Sequence, residues 1–128
     1  MEKEVIFIED LHFEHRQWIE ELSFWQDELK SFNKRLDELI KRWSNKNVLA
    51  QLEHFQNQFI LHGKFIDNIE DVINGHETNM ADHDEKGQAV INRELAKNHM
   101  EIRERMEDQR KIYADLKKEF YKFLSKYM

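Results

Sequence analysis

The chain has 128 residues, with no proline, no cysteine and only three glycines, and Asp, Glu, Lys and Arg make up 36% of it. This length specifies one domain with a real core, the scarcity of helix breakers beside so much charge specifies an all-α protein, and the lack of cysteine excludes disulfides, thiolate metal ligands and cysteine nucleophiles. Net charge is −6, and acids outnumber bases until the last third of the chain, a balance that argues against nucleic-acid binding, where clustered Lys and Arg are needed to displace counterions.

Met1 to Glu9 reads as an arm or as frayed first turns of a helix. Its apolar run, Val5 to Ile8, is too short for the core of a signal peptide, and no later stretch approaches the roughly 18 apolar residues of a membrane span. The expectation is a soluble, cytoplasmic protein without a membrane span.

A helix is expected over about residues 10–44. Alternating steps of three and four from Ile8 give Leu11, His15, Trp18, Leu22, Trp25, Leu29, Phe32, Leu36, Leu39 and Trp43, all apolar except the histidine. A repeat of 3.5 residues held this long makes one continuous seam that other helices must cover. Ser44-Asn45-Lys46-Asn47 is the next polar cluster, with Asn47 read as the N-cap of a second helix over about 48–78. Its seam is Val48, Leu52, Phe55, Phe59, His62, Ile66, Ile69, Ile73 and His76, and both exceptions are again histidines. Gly63 falls mid-helix, while Asn74-Gly75 is a stop signal that the preferred, longer reading overrides.

Asp82-His83-Asp84-Glu85 has the pattern of a capping box and is read as the start of a third helix over about 83–126. That helix carries Leu95, His99, Ile102, Met106, Gln109, Tyr113, Leu116, Phe120, Phe123 and Tyr127 on its seam, and the register of Ala89, Val90 and Ile91 is left open. The Lys and Arg residues from Arg110 to Lys126 are read as complementing the helix dipole. The whole chain, 1–128, is thus an up-down-up bundle of three long helices with coiled-coil-like packing. A third helix longer than the second leaves seam uncovered, which favours self-association into a dimer.

Four of the seven histidines, His15, His62, His76 and His99, occupy seam positions. With the first turn near Asn45, antiparallel counting puts His15 level with His76. His12 is one turn from His15, and His83 opens the helix that returns from that end. With the second turn near Ala81, the same counting puts His62 level with His99, near Glu28. Neutral imidazoles converging from several helices are good ligands for transition metals. The end group, His12, His15, His76 and His83, is preferred as a metal site over the middle layer of His62 and His99. Glu9, Glu14, Glu28 and Glu94 are candidate oxygen ligands or outer partners. An all-imidazole set favours copper or zinc, and added carboxylates admit iron.

Enzyme signatures do not appear. Ferritin-like di-iron bundles carry Glu-x-x-His on two helices, and only Glu9 to His12 fits here; no histidine is followed four residues later by an acid, against the hemerythrin-like pattern. No nucleophile elbow, phosphate loop or His-Glu-x-x-His is present, which leaves metal-dependent redox chemistry open but unspecified. Two readings follow: a small bundle that holds a transition metal through inward histidines for storage, sensing or redox work, or a structural module that binds other helices and uses the histidines only in packing.

Overall fold

A computed structural model describes residues 8–85 and 93–127, with side chains described over 9–82 and 93–127. All the described residues outside the first turn region are helical, in three elements: α1 (Ile8–Arg42), α2 (Lys46–Glu85) and α3 (Arg93–Tyr127). Among them there is no strand, and no helix is long and apolar enough to cross a membrane.

The first turn is short because α2 is capped at once. The Asn45 side-chain oxygen accepts from the backbone N–H groups of Asn47 and Val48 at 2.9 and 3.3 Å, the contacts an N-cap makes to the second and third helical residues. The cap is therefore Asn45, two residues before the expected Asn47. At the far end of α1, the Trp43 indole donates to the Tyr127 carbonyl at 3.1 Å, which ties the first turn to the end of α3.

The second connection differs more from expectation. Asn74-Gly75 does not end α2, and Asp82-His83-Asp84-Glu85 forms its last turn rather than the start of α3. Tertiary burial decides this: Ile73, His76 and Met80 continue the buried seam straight through the glycine, and their burial outweighs a propensity loss of about 1 kcal/mol. The expected beginning of α3 and the register of Ala89, Val90 and Ile91 fall on 86–92, outside the described residues. Among the described residues α2 spans 40 and α3 spans 35, so the overlong third helix on which a dimer was expected is not seen there.

Every described seam position from Leu11 to Phe123 is buried except Trp43 and Gln109, which are half-buried. The apolar core falls into two parts. A large cluster runs from Trp18 down to Phe123, rich in rings such as Phe32, Phe55, Phe59 and Phe120. A small one, Leu11, Met80 and Leu95, closes the opposite end. Helices α1 and α3 run parallel in register: Glu14, Glu21 and Glu28 meet Arg103, Arg110 and Lys117 at 2.8, 2.8 and 3.3 Å, each series spaced by one heptad.

Candidate metal centre

Between the two apolar clusters lies a layer of three imidazoles, one from each helix. His15, His76 and His99 are buried to within 5% exposure, and their ring centroids are 5.0, 5.0 and 5.6 Å apart. One ring nitrogen from each comes within 4.8 Å of the others. Trp18, on the next inward turn of α1, stacks on His99 with centroids 4.9 Å apart and forms one wall of the layer.

The outer nitrogens of two of these rings face carboxylates. His99 Nε2–H donates to Glu14 Oε1 at 2.5 Å, and the same oxygen accepts from Arg103 Nε and Nη2 at 3.0 and 2.8 Å. Burial works to raise the Glu14 pKa, but the hydrogen bonds from Arg103 and His99 outweigh it, so the carboxyl stays below its usual range and ionised. An ionised carboxylate only accepts, which fixes the proton on His99 Nε2 and turns the Nδ1 lone pair inward. His15 Nδ1 faces Glu77 at a long 3.5 Å, and its Nε2 lies 3.1 Å from His99 Nδ1.

Two proton arrangements satisfy that contact. In one, His15 Nε2–H donates to His99 Nδ1. In the other, the His15 proton sits on Nδ1 towards Glu77, and two lone pairs point at each other across 3.1 Å, a contact that only a cation between them makes favourable. The second state has the carboxylate–histidine–metal form, in which outer acids orient the ligating rings.

His76 completes the layer differently. Among the described residues, neither of its ring nitrogens has a hydrogen-bond partner, although both are shut off from solvent. Burial, then the neighbouring His15, lowers its pKa from 6.5 to about 4; burial is also the main cause that lowers His15 and His99. All three rings are consequently neutral at pH 7, the form that binds metal. A tetrahedral ion about 2.0–2.1 Å from each nitrogen requires nitrogens about 3.3 Å apart. The His15–His99 pair, at 3.1 Å, is already close to this spacing.

The other sequence candidates lie elsewhere. His12 is 54% exposed on the outside of α1, where its Nδ1 contacts both Glu77 oxygens at 2.7 and 2.9 Å. The His83 side chain is outside the described residues, and its backbone belongs to the last turn of α2. His62 forms a separate layer 14 residues, about 21 Å of helix, from His76. It stacks on Tyr113 at 3.8 Å, accepts from Gln109 at Nδ1 over 2.7 Å, and packs against Trp25. Burial lowers its pKa to about 4 as well. His99 was expected opposite His62 and instead faces His76, because the later second turn slides α3 along α2 by two heptads. Glu28 accepts from the Tyr113 hydroxyl at 3.2 Å and from Lys117, so it meets the His62 layer through Tyr113. Glu77 and Arg103 are new to the site. Their signal was positional: Glu77 follows His76 directly, level with His12, and Arg103 is one turn beyond His99.

Fold and site together define a three-helix bundle with a buried histidine triad. Comparison with known proteins adds nothing to that description, since no family model, no curated protein and no solved structure matches the chain.

Proposed function

We propose that this protein binds one transition-metal ion, copper or zinc, through His15, His76 and His99. The observation that carries the reading is His76: a neutral ring in a dry layer, with both nitrogens unpartnered among the described residues and two other imidazoles within ligand reach. An orphaned buried nitrogen costs about 1–3 kcal/mol, and an ion shared by the three rings removes that penalty. The outer contacts support the same reading: Glu14 draws the His99 proton to the far side of that ring, and Glu77 offers an acceptor for the same arrangement at His15. All three ligands come from one chain, so the site is complete without a second copy. The heptad-spaced rungs between α1 and α3 support coiled-coil-like packing as its scaffold.

Titration of Zn(II) and of Cu(II) into tag-free protein is expected to show one equivalent bound, and the His15→Ala, His76→Ala double variant to weaken it by about a hundredfold or more. Equal affinity in both proteins sinks this reading and leaves a helical interaction module.

A further inference from the structure

We infer that the ion this site selects is Cu(I), held by His15, His76 and His99 with the Met80 thioether as its fourth donor. This rests on the metal reading above. The three imidazoles come from three helices, and both His76 nitrogens are shut off from solvent, so the layer is closed to the water that fills the open position of a catalytic zinc site. Ligands converging from three sides of a bundle do not form the square plane that Cu(II) prefers. A fourth ligand must therefore come from the chain itself.

Two further layers enclose the rings. On the inner side lie Trp18, Ile73 and Ile102, each three residues from the histidine of its own helix and buried, with no atom that ligates a metal. On the outer side lie Leu11, Met80 and Leu95, each four residues from its histidine and packed as one cluster. Among these six, Met80 alone carries a soft lone pair. Helical side chains slant towards the N-terminus of their helix. Met80 follows His76, so its thioether slants over the histidine layer, whereas Leu11 and Leu95 precede His15 and His99 and slant away from it.

Charge and softness then select the metal. The rings are neutral, and two carboxylates face them, Glu14 and Glu77. Arg103 offsets Glu14, which leaves Glu77 to balance one positive charge. The cost of desolvating an ion grows as the square of its charge, so a monovalent ion enters this dry layer against about a quarter of the penalty that a divalent one meets. Thioether sulfur favours Cu(I) and suits Zn(II) poorly. Cu(I) has a filled d shell, as zinc does, and so accepts the geometry the helices impose.

The test uses the full chain without a tag, kept anaerobic, with Cu(I) partitioned between the protein and a coloured Cu(I) chelator. One equivalent should bind, about a hundredfold or more tighter than Zn(II). Copper-edge X-ray absorption should show one sulfur neighbour beside the nitrogens. Met80→Leu, close to methionine in volume, should remove that sulfur and weaken Cu(I) by about tenfold while leaving Zn(II) affinity unchanged, which also shows that the bundle is intact. Zn(II) bound as tightly as Cu(I), or more tightly, overturns the selection of Cu(I) and spares the metal reading. A copper site without sulfur, or Cu(I) affinity that Met80→Leu lowers no more than Zn(II) affinity, overturns the role of Met80. Failure to bind any of Cu(I), Cu(II) and Zn(II) overturns both inferences.

Discussion

Burial opposes charging at each histidine of the core, and that ties stability to pH. His62 and His76 fall from 6.5 to about 4, chiefly through burial. A depressed histidine pKa means that the unfolded chain binds more protons, so the stability is fully present above about pH 6.5 and is lost as pH falls towards 4. Metal-free protein should therefore lose roughly 3 kcal/mol per ring across that window, read by urea unfolding at a series of pH values. Replacing His76 by leucine removes one such group along with its unpartnered nitrogens. His76→Leu is expected to stabilise metal-free protein at pH 7 by about 1 kcal/mol, to flatten the acid limb and to abolish metal binding. A loss of stability at pH 7 would mean that the ring is better satisfied than its contacts indicate.

Helix α2 is the element in which local and tertiary preferences conflict. Both of its glycines sit inside it, and neither is required by close packing: a Cβ at Gly63 would meet the Leu29 side chain at 3.8 Å, an ordinary contact. Gly63→Ala should raise stability by about 0.5–1 kcal/mol, seen as a higher melting temperature, because alanine loses less backbone entropy on entering a helix. The seams of α1 and α2 were legible because their spacing runs unbroken over many turns, and the buried rows match it residue for residue from Leu11 to Leu39 and from Val48 to His76. The end of α2 was misread because Asn74-Gly75 and Asp82 carry strong local signals. The opposing signal was nearby: Met80, four residues past His76, continues the seam and is buried against Leu11 and Leu95. The Glu and Arg/Lys rungs between α1 and α3 were equally available as two heptad series. They set register more than stability, since both partners are partly exposed. A double-mutant cycle on Glu21 and Arg110 should return a coupling below about 1 kcal/mol.

At the scale of the molecule, the histidine layer interrupts an otherwise apolar interior between the Trp18–Phe123 cluster and the Leu11–Met80–Leu95 cap. The sequence placed His15 beside His76, because only the first turn enters that count and the turn was located to within two residues. It did not place His99 there, because an error in the second turn propagates to every position of α3. Four polar rings on seams carry a desolvation penalty that an anonymous scaffold would avoid by using leucine. Three of them meeting at one level, with acids behind two, is the central structural fact of the chain. Its most direct test is the histidine side-chain nitrogen NMR spectrum, recorded with and without one equivalent of Zn(II). The account predicts that the ring nitrogens of His15, His76 and His99 shift together while those of His54 and His62 stay in place. Shifts confined to exposed rings such as His12 and His54, or no shift at all, would contradict it.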